Sequence, residues 1–475
     1  MTPKIQTRPT DFAVLQSRHL MHCWSAQKDY KPIPVEKTEG CWIHTTNGRR
    51  IFDLRSAHEC INLGFNHPKI LQSMHEQMEK VVYVTDDFAT EATALLARRL
   101  AELSPGSSGK RIFFCQSGAA AVEAAIKGAR QFQYNTLLKE RSVEVDAPSQ
   151  YPYPYKIISR YASWHGATAA AASVGGDPRR WFQEPLTVPG TVFAPEANVY
   201  RPTFGEGPDS AKQQLDYMEY LIEQEGGNNK VAAILIEPVV GSNGIIPPPP
   251  GYLEGIRELT DRRRLLLIAD ETMCGMGRTG KLFAVEHWDV EPDIIVLGKA
   301  LGAYCPLAAT IFSEKVSRGF DDNLFGHGQS YSGHALGCAA ALESLRILLE
   351  DGVLENCVRM GEYLGRRLHD LKDRHPCVGD VRGMGLFWTL ELVRDRESQT
   401  PLRRVTEKYT QTIVKTLAEF LFEKRDIYVP SDKFGIWIVP PLIVNQEEID
   451  FLIPAIDDAL EMADDWLRKK VDHPG

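Results

Sequence analysis

RLLLIADETMCGMGRTGKLFAVEHWDVEPDIIVLGK, residues 264–299, contains two short apolar runs, LLLIA and IIVL, and each is soon followed by a charged residue, Asp270 and Lys299. Neither run alternates apolar with polar, so neither suits a strand with one wet face. Both suit parallel strands covered by helices on each side. Working outward, VAAILIEP (231–238), KIISRY (156–161) and RIFFCQ (111–116) are further strand-like runs. Helical patterns separate them: SGAAAVEAAIKGARQF follows RIFFCQ, WHGATAAAASVGG follows KIISRY, and a helix is expected over 251–264. Strand and helix in alternation give the α/β class.

The flanks read differently. GCWIHTTNGRRIFDL (40–54) mixes short strand-like pieces, and a helix is expected around 68–81. From about 335, helical stretches over 335–350, 353–374 and 405–424 surround strand-like LFWTLELV (386–393) and GIWIVPP (435–441), which reads as a smaller α+β domain. Segment 134–155, YNTLLKERSVEVDAPSQYPYPY, reads as an insertion. Its YPYPY suits a stiff surface turn better than a ligand for a proline-reading module. No internal repeat or long low-complexity tract interrupts the chain.

The 475 residues suffice for two or three domains at about 150 residues each. Apolar residues make up 43% and charged ones 25%, a globular mix that excludes disorder and collagen. The balance of 54 Lys+Arg against 63 Asp+Glu, net −9 and spread evenly, argues against a nucleic-acid binder and for small partners. Nine cysteines without a C-x-x-C pair fit a reduced, cytoplasmic setting. The opening MTPKIQTRPTDF has no apolar signal core, and no run approaches the ~18 apolar residues of a membrane span.

Four features carry chemistry, and each has a plain alternative. Ser117-Gly118-Ala119 joins a strand to an alanine-rich helix, where free N–H groups and the positive dipole end suit a phosphate; a simple tight turn looks the same. Asp270 emerges from LLLIA where open α/β sheets place ligands, and could face a cation or a protonated ring nitrogen; it could also cap the next element. Lys299 follows IIVL one strand-to-strand unit later and could serve as a Schiff-base amine; most such lysines are solvated. Trp164-His165-Gly166 could stack on a planar ligand; most tryptophans pack in cores. The four occurring in this order at successive strand ends shifts the balance toward one site.

Gly275 to Gly280 fits G-x-G-x-x-G, but no long helix is expected before Pro292, and the ribose-binding acid position falls within IIVL. It reads as a glycine-rich loop. His58 with Cys60, and His22 with Cys23, lack a structural zinc spacing, so no metal is expected.

The run DETMCGMGRTGKLFAVEHWDVEPDIIVLGKALG (270–302) closely resembles the signature of class III aminotransferases, pyridoxal-phosphate enzymes of fold type I. The likeness spans almost the whole chain, through NLGFNHPKI, SGAAAVEAAIKGAR, SWHGAT, LIEPVVGSNGIIPPPPGY, HGQSYSGHALGCAAAL and VGDVRGMGLFWTLELV. KIISRYASWHGAT and GLFWTLELVRDRE resemble most the subgroup acting on taurine and related terminal amines. The resemblance implies a large domain over 68–330 with a mostly parallel seven-stranded sheet. It also implies a small α+β domain from both chain ends, 1–67 and 331–475.

It further implies roles, residue by residue. Lys299 would hold pyridoxal 5′-phosphate and move the proton, while Asp270 would pair with the ring nitrogen. Ser117, Gly118 and Ala119 would form the phosphate turn, with Ala119 where many members have serine. Trp164 would stack on the ring with His165 beside it, Thr272 would pack on the opposite face, and Glu237 in LIEP would join the cofactor site. Ser330 would reach the phosphate of a neighbouring subunit, implying a homodimer with a shared site; pairing of dimers into tetramers stays open. In the ornithine-type branch a glutamate gates an arginine that grips the substrate carboxylate. Here those positions hold Ser242 and Trp437, so the pocket is expected to be aromatic, with Trp24 a second wall.

The expected reaction is transfer of an amino group from a terminal amine, taurine among the candidates, to a 2-oxo acid such as pyruvate or 2-oxoglutarate. A decarboxylating transaminase or aminomutase would use the same lysine and aspartate. A nicotinamide dehydrogenase would rest on the 275–280 glycines.

Overall fold

A computed structural model describes residues 9–141, 153–204, 209–402, 412–429 and 435–472. Its centre is a seven-stranded sheet in the order Arg111–Cys115, Ala308–Phe312, Ile294–Leu297, Leu266–Asp270, Val231–Ile236, Lys156–Arg160, Thr191–Ala194. Only Ala308–Phe312 runs against its neighbours. It returns directly from Ile294–Leu297 through residues 298–307, a connection too short for a parallel crossover, which takes a dozen or more residues. Because it is reversed against both neighbours, Arg111–Cys115 points the same way as the other five strands.

Every residue of Leu266–Asp270 and of Val231–Ile236 is buried, as the unbroken apolar runs require. Alternate residues serve two separate cores. Leu267 and Ala269 join one with the helices Tyr252–Arg262 and Ala335–Glu350, while Leu266 and Ile268 join another with Gly118–Arg141.

Two smaller sheets come from the flanks. Val35–Glu39, Trp42–Thr45 and Arg50–Asp53 form a meander to which Ile427–Tyr428, from the far end of the chain, adds in parallel. Phe387–Asp395 pairs with Val378–Met384 and with Gly435–Ile438. The two ends of the chain therefore share structure.

Some expectations shift. The segment expected as an insertion from 134 begins inside the helix Gly118–Arg141, because YNTLLKER continues its helix-forming composition. Residues 142–152 lie outside the described residues; beyond them the Tyr153 ring packs edge-on against Tyr134 at 5.1 Å. The helix expected over 405–424 is described as Ile413–Arg425, and residues 403–411 lie outside the described residues. Two strands of the central sheet carry no sequence signal used above: Thr191–Ala194, a short edge strand, and Ala308–Phe312, whose alanines are poor strand formers.

One buried guanidinium ties the three parts together. Arg278, in the 275–280 loop, is fully buried. It donates to Leu386 O at 3.0 Å, Pro440 O at 2.6 Å, Asn62 Oδ1 at 2.5 Å and Ser56 Oγ at 3.3 Å. Arg278→Ala strands several buried acceptors, so it is expected to destabilise the protein by about 3 kcal/mol or more. Chemical denaturation checks this; a loss below about 1 kcal/mol would show that water replaces those bonds.

Candidate active site

The strands that share one direction deliver their C-terminal ends to one sheet edge, where open α/β folds bind ligands. Just past those ends lies a cavity of about 160 Å³. Gly118 and Ala119 line it after Arg111–Cys115, Trp164 and His165 after Lys156–Arg160, Glu237 and Ser242 after Val231–Ile236, Asp270 and Thr272 after Leu266–Asp270, and Lys299 after Ile294–Leu297. A larger groove of about 490 Å³ runs between residues near Tyr30 and Tyr428, but none of these strand-end groups lines it.

Asp270 is 3% exposed, and both of its oxygens are engaged. Oδ2 lies 2.7 Å from His165 Nδ1, and Oδ1 accepts the Thr272 N–H at 3.0 Å. His165 is buried too, with Nε2 3.4 Å from Ser159 Oγ, so its ring is held between strand end and carboxylate. The neighbouring Glu271 turns away to accept the N–H groups of Ala284 and Val285 at 2.6 and 2.8 Å. Burial pushes its carboxyl up to about 8. Of two consecutive acids, one faces the cavity and one caps a turn.

Glu237 accepts the N–H groups of Trp164 at 2.9 Å and Gly241 at 2.8 Å, fixing two loops at once. Burial raises its carboxyl above the ordinary value; His165 opposes that rise, and Asp270 adds to it. Trp164 has the Arg179 guanidinium over its ring at 3.6 Å and the Trp24 ring edge-on at 5.6 Å.

Gly118 opens the helix Gly118–Arg141, whose first N–H groups have no intrahelical acceptor. Ser117 Oγ accepts the Ala120 N–H at 3.3 Å, so its hydroxyl caps the helix. A Cβ at Gly118 would come within 2.8 Å of Thr272 Cγ2, which is why the turn is bare there. Thr272 Oγ1 is buried without a hydrogen-bond partner. An orphan hydroxyl, a glycine cradle and a helix N-terminus in one cavity fit a phosphorylated planar cofactor.

Four expected residues lie outside that lining: Ser117, which caps the helix just before it, and three others. Trp24 is 58% exposed and touches the site only through Trp164. Trp437 is 4% exposed and packs in an apolar cluster with Met273, so it backs the cavity wall rather than forming it. Ser330 sits at the surface, its carbonyl accepting from the Tyr83 hydroxyl.

The structure adds residues that the sequence reading missed. Lys299 Nζ donates to Glu59 Oε2 at 2.8 Å, and Glu59 Oε1 lies 3.3 Å from Arg55 Nε. Burial alone would raise the Glu59 carboxyl, but Lys299 and Arg55 outweigh it and hold the group below its ordinary value. Glu59 ends four consecutive left-handed residues, Ser56, Ala57, His58 and Glu59, with φ of 49°, 46°, 61° and 60°. None is glycine, so each costs about 1–2 kcal/mol. Asp53 offsets part of this by accepting the N–H groups of Arg55 at 3.0 Å and Ala57 at 2.6 Å. The only sequence trace is the i,i+4 spacing of Arg55 and Glu59, which ordinarily marks an exposed helical ion pair.

Residues 24–460 match the family model Aminotransferase class-III. The chain belongs to the class III aminotransferases. Taurine–pyruvate aminotransferase of Bilophila wadsworthia is 31% identical over 94% of this chain and 96% of its own length. The structure of taurine:2-oxoglutarate aminotransferase from Bifidobacterium kashiwanohense, in complex with PLP and glutamate, superposes with a TM-score of 0.89 at 31% identity, covering 98% of this chain and all of that one. An (S)-enantioselective omega-transaminase from Thermomicrobium roseum gives 0.86 at 32% identity, covering 96% and 98%. Class III aminotransferases are fold type I enzymes, and pyridoxal 5′-phosphate is the cofactor of this one. The dehydrogenase reading of the 275–280 glycines falls, since they form turns followed only by the short Ala284–Trp288 turn.

Gly118→Val, which drives a branched side chain into Thr272, is expected to weaken cofactor binding by about tenfold or more. Absorbance titration of the cofactor-free protein with pyridoxal 5′-phosphate checks it, and unchanged affinity would place the phosphate elsewhere.

Proposed function

We propose that this aminotransferase takes its amino group from a terminal amine, taurine among the candidate donors, and passes it to a 2-oxo acid such as pyruvate or 2-oxoglutarate. The observation that carries the site assignment is the meeting of Lys299 and Asp270 in one small cavity at the sheet edge. When bound, pyridoxal 5′-phosphate supplies a protonated ring that accepts electron density from the substrate carbon.

The chain's own groups do the rest. Lys299 Nζ would be the amine that holds the cofactor, and the base that moves the proton at the substrate carbon. Asp270 would pair with the ring nitrogen and keep its proton there; His165 and the Thr272 N–H fix the carboxylate's direction. The N–H groups of Gly118 and Ala119 would receive the phosphate, with Ser117 capping the same helix and Thr272 lining the cavity beside them. Trp164, anchored through Glu237, would cover one ring face.

The donor assignment rests on what is missing from the ornithine-type positions. Ser242 lines the cavity where a gating glutamate would stand, and Trp437 takes the place of its arginine. Two similar proteins carry taurine in their names, which agrees with this choice. The reading includes a homodimer in which Ser330, at the surface of one subunit, serves the neighbour's phosphate. It also includes a cytoplasmic setting, supported by the scattered cysteines, and the division into segments 1–67, 68–330 and 331–475. Among the described residues no helix is long and apolar enough to cross a membrane.

A donor panel tests the reading: taurine, diamines, aromatic amines, β-alanine and ornithine, each mixed with holoenzyme while the cofactor spectrum is followed. Terminal amines are expected to convert the spectrum. Conversion by α-amino acids alone would contradict the assignment.

A further inference from the structure

A 2-oxo acid brings a carboxylate into a cavity that already holds Asp270 and Glu237, and an unmatched negative charge there is costly. Among the described residues lining the cavity, Lys299 supplies the one lysine or arginine side chain, and the chemistry occupies it. The acceptor's carboxylate therefore needs a second cation within reach.

Arg55 is the guanidinium tied to Lys299 through a single carboxylate. Glu59 takes Lys299 Nζ on Oε2 at 2.8 Å and Arg55 Nε on Oε1 at 3.3 Å. The two contacts are unequal. The lysine bond is short, whereas the arginine uses only Nε at longer range, and its Nη atoms have no acceptor among the described residues. That leaves the planar fork, the part of arginine that matches a carboxylate with two parallel bonds, available. Its guanidinium carbon lies 5.8 Å from the Trp437 ring centre, so the cation stands beside the very position where the ornithine-type arginine is missing. The strained turn 56–59 is the backbone device that brings this pair to Lys299. Arg179, the other guanidinium nearby, is already paired with the fully buried Asp177 at 2.8 Å and stacked on Trp164.

We propose that Arg55 receives the carboxylate of the 2-oxo acid and that Glu59 is the counter-ion it leaves to do so. The inference rests on the acceptor reading given above and names the residue for it. The acceptor arrives after the donor has freed the Lys299 amine from the cofactor, so Glu59 can keep that amine as its partner while Arg55 turns away. With a donor that carries no anionic group, Arg55 returns to Glu59 and presents no unpaired cation; the sulfonate of taurine, an anion like the acceptor's carboxylate, would meet the same guanidinium. One cavity thereby accepts substrates with and without an anionic group.

The test uses holoenzyme and an amine donor that carries no anionic group and converts it. Arg55→Met is expected to raise KM for pyruvate and 2-oxoglutarate on the order of ten- to a hundredfold. The half-reaction with that donor, which brings no carboxylate, should slow far less than the KM for the oxo acids rises. Propanoate, which carries the carboxylate but cannot react, should compete with the oxo acid in the parent enzyme and lose that effect in Arg55→Met. Arg55→Lys should restore part of it. Glu59→Gln, which frees Arg55, should tighten propanoate binding, and it decides the matter should Arg55→Met fail to fold. Unchanged KM and propanoate inhibition in Arg55→Met, or unchanged or weaker propanoate binding in Glu59→Gln, would overturn the inference. So would transfer of both effects to Arg179→Met. Parent enzyme that uses its donor but aminates no 2-oxo acid would overturn the acceptor reading along with it.

Discussion

A strand buried on both faces can carry charge only where it ends, and this single constraint organises the molecule. Leu266–Asp270 is buried throughout, so its carboxylate must find partners at the sheet edge or be neutralised. The partners come from adjacent chain segments: His165 from the loop after Lys156–Arg160, and the N–H of Thr272 from the turn that follows. Both depend on strands pointing the same way in register. The reversed strand Ala308–Phe312 preserves that arrangement, because it turns Arg111–Cys115 back into line and brings Gly118 to the same edge.

The chain ends complete what the sheet begins. Arg278 is held by carbonyls of Leu386 and Pro440 on one side and by Asn62 and Ser56 on the other, so a buried guanidinium couples both flanks to the loop after Asp270. Ser56 also donates to Val439 O at 2.6 Å. These bonds fix the start of a left-handed turn that would not persist in an isolated segment. Its strain is spent on placing one carboxylate, that of Glu59, against Lys299.

What could be read in advance follows from locality. Asp270, Lys299, Gly118 and His165 each sit at a strand end, and a strand end shows in the sequence as an apolar run meeting a small or charged residue. The α/β class and the helices Ala335–Glu350 and Val353–Arg374 were legible for a like reason, since their apolar periodicity is long and unbroken. Glu59 and Arg55 were not, because their importance arises from backbone with positive φ in a stretch that contains no glycine to advertise it. Trp437 carries a different lesson: an aromatic where relatives of the ornithine type place arginine looks like a pocket wall, yet tertiary packing against Met273 and Phe387 draws it into a core.

The account depends most on the amine of Lys299 being the group that holds the cofactor. Borohydride reduction of the holoenzyme, followed by proteolysis and mass mapping, reads this directly. The account predicts a stable pyridoxyl label on the peptide containing Lys299 and on no other. A label on a different lysine, or full reduction that leaves the Lys299 peptide at its unmodified mass, would contradict it.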